Sequence, residues 1–182
     1  MPTLIAHFQD MARNNAWSNH RLLAACAGLA PADFAAPRTG FFPSLAGTLN
    51  HILMVDGYYI DSLHGRADAM DRAVAFVAHV DLPGLDAAQR ASDRRLMAFC
   101  EALEIVDLDR EITLRRPNRE APPETIARVL AHLFVHQIHH RGQAHAMLSD
   151  TSVEPPQLDE FFLRDELPLR REELRALGLP EV

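Results

Sequence analysis

The chain has 182 residues, 48% of them hydrophobic, and a formal net charge of -7; this fits one domain with a core large enough to need no staples. All 18 basic residues are arginine. Chemistry that needs a side-chain amine is therefore excluded, whether a Schiff base or a phosphate-loop lysine, and the acidic balance without a basic patch argues against nucleic acid as a partner.

Apolar spacing and helix punctuation mark four long helical segments. The first runs from about Thr3, a suitable N-cap, through Leu4, Phe8, Met11, Trp17, Leu22 and Leu23 to Gly28. A loop with Pro31, Pro37, Gly40 and Pro43 follows. The second segment starts near Ser44, carries Leu45, Leu49, Ile52, Leu53, Val55, Tyr59 and Leu63, and stops at Gly65. Residues 66–84 resist assignment, because the stretch AVAFVAHV reads equally as strand, helical turn or buried loop. The third helix is expected from about Leu85 to Val106, with Leu96, Phe99, Cys100 and Leu103 as its inner stripe. Residues 108–121 are also open: Ile112 and Leu114 alternate as in a strand, but no partner is evident. Pro122 and Pro123 before Glu124 signal the start of the fourth helix, since proline suits the first turn and a carboxylate complements the dipole there. That helix should end near Asp150, ahead of Pro155 and Pro156, and the tail LDEFFLRDELPLRREELRALG reads as one or two short amphipathic helices.

The pattern predicts an all-α fold, a four-helix bundle of long antiparallel segments with short C-terminal helices. One domain is expected over residues 1–182, with its core in 1–150 and a helical tail in 151–182. Cys26 and Cys100 lie in apolar helical surroundings and read as small buried hydrophobes, not as a disulfide, which fits a reducing compartment. No apolar run nears the roughly 18 residues of a membrane span, and MPTLIAHFQD lacks the plan of a signal peptide. No membrane is expected as a partner, and the expected location is the cytoplasm.

Four of the ten histidines fall within VHQIHHRGQAHA, residues 135–146. On a helical wheel centred on His136, His140 lies at about +40°, His132 at about -40° and His139 at about -60°, while His145 falls on the opposite, outward side. Val129, Leu133 and Met147 share the first arc, so part of it faces a core. Histidines four apart stand one turn apart on one face and can hold one metal ion, a spacing met by His136 with His140 and by His132 with His136. His51, near the middle of the second helix in TLNHILMVDGYY, can supply a third imidazole, because packed helices lie about 8–10 Å apart. The same histidines could instead be hydrogen-bonded core residues or exposed ones. HQIHH is no zinc-protease motif, since Gln137 stands where a glutamate base is required. Neither a C-x-x-C ribbon nor a G-x-S-x-G elbow is present.

Taken together, HFQDMARNNAWSNHRLL, FFPSLAGTLNHILMVDGYYIDSLHG and VLAHLFVHQIHHRGQAHAML resemble the DinB/YfiT-like family of bacterial metal-binding four-helix bundles. The HHRGQ core and its pairing with LNHIL carry most of that resemblance. It implies a divalent metal held by His51, His136 and His140, with His132, His139 and Arg141 in the matched stretch but outside the usual ligand set. His132 or His139 would orient a ligand imidazole. The sequence departs from the family pattern at Val135, where an asparagine often stands. The resemblance also implies a homodimer, and its characterised relatives use low-molecular-weight bacterial thiols.

Three neutral imidazoles leave a position on zinc or nickel, or else on iron or manganese, for water or substrate. Such an ion lowers the pKa of bound water to about 7 or holds a thiol as thiolate. The expected function is thus a metal-dependent enzyme, a thiol S-transferase on a small electrophile in stress or detoxification, with a hydrolase as the other metal chemistry. The alternative is a non-catalytic metal-binding or stress-response protein, and a third reading is a helical interaction module with incidental histidines. Asn14, Trp17 and Tyr58 are candidates to line the pocket, although Trp17 and Tyr58 read more readily as core aromatics. The family's label refers to damage-inducible expression and does not imply DNA repair.

Overall fold

A computed structural model describes residues 3–117 and 121–181. Its four long helices are α1 (Leu4–Cys26), α3 (Leu45–Leu63), α5 (Leu82–Glu101) and α6 (Ile126–Leu148); shorter ones are α2 (Pro31–Ala35), α4 (Ala69–Val74) and α7 (Leu167–Leu177). Each long helix opens on a side chain that accepts from an otherwise unpaired backbone N–H, namely Thr3 from Ala6, Ser44 from Gly47, Asp81 from Gly84 and Thr125 from Arg128. After α3 the chain turns through Gly65 at φ 73°, a left-handed conformation that a residue without Cβ adopts freely.

The all-helical expectation holds, with corrections at the connections. The third helix starts at Leu82 and ends at Glu101, and Ile105–Asp107 forms a separate 3-10 turn. Ile112 does sit in a two-residue strand, β1 (Glu111–Ile112), but Leu114 does not. Its partner is β2 (Glu124–Thr125), the stretch read as the first turn of the fourth helix. Backbone pairing there delays α6 until the Thr125 cap. AVAFVAHV splits into the end of α4, a turn at Ala75 and an irregular segment.

The antiparallel expectation also needs correction. The main contacts run α1 with α5, α5 with α3, α3 with α6 and α6 with α1, so the helices form a ring in that order. Side-chain partners give the directions. His51 meets His136 and Tyr59 meets His132, so α3 and α6 are antiparallel. Gln9 bonds to Cys100 and Asn19 to Asp93, so α1 and α5 are antiparallel. Asp56 meets Gln89 and Asp61 meets Arg95, so α3 and α5 run parallel. Consecutive parallel helices require a crossover along the length of the bundle. Residues 64–81 are that crossover, which explains why they carry mixed signals.

The apolar interior falls into two clusters. One gathers Phe8, Ile60, Leu96, Leu130 and Phe134, the other Leu22, Leu45, Ile52, Leu85 and Leu148. Between them lies a buried polar layer fed by all four long helices: Asn15 and Asn19 from α1, Asp56 from α3, Gln89 and Asp93 from α5, Gln137 and Arg141 from α6. Arg141 donates to Asn15 Oδ1, to Asn19 Oδ1 at 3.0 Å and to Gln137 Oε1 at 3.3 Å. Gln137 and Gln89 donate to the two oxygens of Asp56, while Asn15, Asn19 and Gln89 converge on Asp93 Oδ1.

Burial pushes the Asp93 carboxyl up to about 7, and burial with the Asp93 charge pushes Asp56 well above the carboxylate range. Burial also lowers Arg141 to about 10. Both cysteines are free and buried in different apolar clusters, their thiols pushed up to about 12 by burial. This matches the reading of inert hydrophobes.

The tail docks on α1. Trp17, Phe161 and Leu174 form a third small cluster, Trp17 Nε1 donates to Glu173 at 2.7 Å, and Arg21 bridges Glu160 and Glu173 at 2.8 Å each.

Removing the cation from the polar layer strands two buried carboxyls. Arg141→Met should therefore cost about 3–5 kcal/mol in urea denaturation at pH 8, and less at pH 6, where the carboxyls take up protons. The exposed Arg128→Met should stay within about 0.5 kcal/mol. An Arg141→Met protein as stable as native at pH 8 would refute the structural role of the layer.

Candidate metal centre

The third and fourth long segments of the ring, α3 and α6, carry the histidines predicted as ligands. His51, His136 and His140 each offer one ring nitrogen, and the three nitrogens lie within 4.8 Å of one another. The Nε2 atoms of His51 and His136 are 3.1 Å apart. Metal–nitrogen bonds of about 2.0–2.1 Å at a tetrahedral angle put two ligand nitrogens about 3.3–3.4 Å apart. The spacing is close to that of two ligands on one ion, and short enough for a hydrogen bond between the rings when no ion is bound.

Protonation favours the same reading. Burial, with His140 close by, lowers His51 to about 4; burial and then the neighbouring imidazoles lower His136 to about 3. His140 is also lowered, by burial foremost. At neutral pH all three present lone pairs to a cation instead of repelling it. Among the described residues no other group of histidine, cysteine or carboxylate side chains is gathered in this way.

The surroundings fix the rings. His140 Nδ1 lies 2.8 Å from Gln143 Oε1, and since a carboxamide oxygen only accepts, that nitrogen carries the proton and Nε2 is left for a metal. Gln143 Nε2 is in turn 3.2 Å from His139 Nε2. His139 thus steadies Gln143, one link further from the triad than the sequence reading placed it. His132 makes no bond to the triad; it lies on the surface against Tyr59, with ring centroids 5.4 Å apart. The orienting group missed in the sequence is Gln143, one turn beyond His139 in HHRGQ. His136 Nδ1 is buried without a partner among the described residues. Val135, at the position of the family asparagine, is 66% exposed.

Phe42, from the loop before α3, stacks on His51 with ring centroids 4.2 Å apart and leans on His140 at 5.7 Å. It closes one side of the triad. On the other side His51 and His136 open on a cleft of about 620 Å³ whose walls include Met54, Val55, Tyr58 and Met70. Tyr58 therefore lines this cleft. Asn14 and Trp17 do not. Asn14 lines a separate cavity on the far side of α6 with Ser18, Ile138 and Arg141. Trp17 is fully buried under the tail, because its face of α1 meets Phe161 instead of α3. His145, expected to face solvent, is half-buried and within 2.9 Å of the Pro156 carbonyl, since the tail covers that side.

Two outcomes test this geometry. Gln143→Leu should weaken zinc binding by about 10–100-fold in competition with a chelator; unchanged affinity would remove Gln143 from the site. The second concerns acid. In metal-free protein, imidazoles that titrate near 6.5 when unfolded take protons only near 4 and 3 when folded. The unfolded chain thus binds more protons in between, so stability present above about pH 6.5 is lost as the pH falls toward 3. Melting temperature between pH 7 and 4 should fall more steeply for native protein than for His51→Gln/His136→Gln. Parallel curves would contradict the lowered values.

No curated protein matches the chain in sequence. A family model does: the DinB family, over residues 1–172 of the 182. That match takes in α1, α3, α6 and all three histidines of the triad, and the chain belongs to the DinB family.

Proposed function

We propose that this DinB-family protein is a metal-dependent enzyme that joins a low-molecular-weight thiol to a small electrophile. The supporting observation is that His51 and His136 line a largely apolar cleft of about 620 Å³, a size suited to a small substrate. A purely structural metal site is closed by a fourth protein ligand, whereas three histidines with an adjoining cleft fit a catalytic one. Zinc or nickel suits the all-imidazole donor set best.

When bound, a divalent ion on these three imidazoles supplies a position at which a thiol is held as its thiolate. The residues of the chain do the rest. Neutral His51, His136 and His140 leave the net charge of the ion undiminished. The Gln143 bond sets the His140 ring, and Phe42 shields the far side from water. Met54, Val55 and Met70 shelter the apolar body of the electrophile. His132, exposed on the same wall one turn before His136, is placed to take the thiol proton. In an addition the sulfur bonds to the electrophilic carbon and that proton passes to the adjacent carbon. In a displacement it leaves with the leaving group.

Zinc-loaded protein should accelerate conjugation of thiols such as N-acetylcysteine to a panel of Michael acceptors and aryl halides. His140→Ala and chelated protein should fall back to the uncatalysed rate. Equal rates in all three would reject the enzyme reading. A large fall in melting temperature on chelation, with no turnover, would then favour a non-catalytic metal-binding protein.

A further inference from the structure

The cleft beside the triad holds one arginine, Arg116, and no carboxylate among its described lining residues. This is unusual company for a cation in a chain of net charge -7. Most of the other arginines pair with an acid: Arg13, Arg21, Arg66, Arg72, Arg90, Arg95, Arg110, Arg128, Arg171 and Arg175 all do. Arg116 pairs with none of the described carboxylates.

Arg116 is also held in place. Its guanidinium donates to Tyr59 Oη at 3.0 Å, and its Cζ lies 5.5 Å and 5.9 Å from the ring centroids of Tyr58 and Tyr59. The adjacent backbone is pinned by Tyr58 Oη, which donates to the Arg115 carbonyl. Two consecutive tyrosines of α3, the helix of His51, thus fix both the backbone and the head group. The Tyr59 contact uses one of five N–H donors. On its other side Arg116 borders a second cavity whose one described acid, Glu124, is paired with Arg128 at 2.9 Å. A fixed, half-buried guanidinium facing an apolar cleft with no described acid attracts an anion more strongly than a solvated surface arginine does, and its planar fork matches a carboxylate.

We infer that one of the two substrates carries a carboxylate, seated on Arg116, with an apolar stretch between that end and the reacting atom at the triad. The inference rests on the proposed function for the reaction, but not for the binding. The carboxylate can belong to the electrophile or to the thiol. Arg116 would be a specificity-determining residue.

The test has a kinetic arm and a binding arm. In the first, zinc-loaded native protein and Arg116→Gln are compared with 3-benzoylacrylic acid against its methyl ester as electrophile, and with N-acetylcysteine against its amide as thiol. Native protein should prefer the acid in one of these pairs by about tenfold in kcat/KM, a preference that Arg116→Gln abolishes and Arg116→Lys restores in part. Which pair responds assigns the carboxylate. In the second arm, calorimetric binding of unreactive 4-phenylbutyrate should exceed that of 4-phenylbutyramide in native protein, and fall about tenfold in Arg116→Gln. Arg175→Gln, on the C-terminal helix α7, should change neither. If no thiol is conjugated but the binding preference holds, the S-transferase reading fails and the anion site stands. If acid and neutral partners are bound and used alike, or if Arg116→Gln leaves their ratio unchanged while its melting curve matches native, the inference is overturned.

Discussion

The rest of the structure depends on a layer of seven buried polar side chains at one level of the bundle. Apolar packing alone lets four helices slide and rotate with small loss, because many apolar surfaces fit one another adequately. Hydrogen bonds at a fixed level do not. Asn15, Asn19, Asp56, Gln89, Asp93, Gln137 and Arg141 find partners only in one axial register, and any slip leaves charged or amide groups buried and unpaired. The two apolar clusters above and below supply cohesion, while the layer supplies the address. The raised carboxyls and lowered guanidinium show what that specificity costs in desolvation.

The triad depends on this register through α6. That helix carries two interleaved pairs with four-residue spacing: Gln137 and Arg141 turn into the bundle, and His136 and His140, one residue earlier in each turn, turn about 100° aside toward α3. Fixing the first pair fixes the second. Asp56 does the same on α3, where it accepts from Gln137 five residues after His51. The triad and the polar layer thus stand at the same level of the α3–α6 interface, and the ligand nitrogens converge because the helices cannot turn independently.

Much of this was legible in the sequence, for definable reasons. The four long helices declare themselves by sustained periodicity and by caps, and three histidines on two helices follow from spacing together with the family resemblance. What was missed lies where meaning depends on partners distant in sequence. Gln89 with Asp93, Asn15 with Asn19 and Gln137 with Arg141 each have four-residue spacing on an inward face. That signal was present, but it gains significance only when the three pairs meet at one level. Asn14 and Trp17 were drawn to the wrong site because nothing local tells which neighbour an inward face of α1 meets. The tail decides that, by burying Trp17. Phe42 and Gln143 escaped notice because each acts only through a ring that it touches.

The least legible segment turns out to build the cleft. Since α3 and α5 run parallel, residues 64–81 must travel back along the bundle, and they do so against α3. That crossover is tied to α3 at two points. Asp61 accepts from Arg72 of α4 at 2.8 Å and from Arg95 of α5, while Asn50 and His79 exchange two bonds, at 3.0 Å and 2.7 Å. Met70, just before the first tie, and Ala73, Val74 and Phe76, between the two, form the wall of the cleft that faces His51 and His136. An up-and-down bundle would join α3 to the next helix by a short turn and leave these two imidazoles facing solvent. The parallel pair therefore does more than vary the topology: it forces a length of chain across the open side of the triad, and that chain makes a sheltered site out of a surface one.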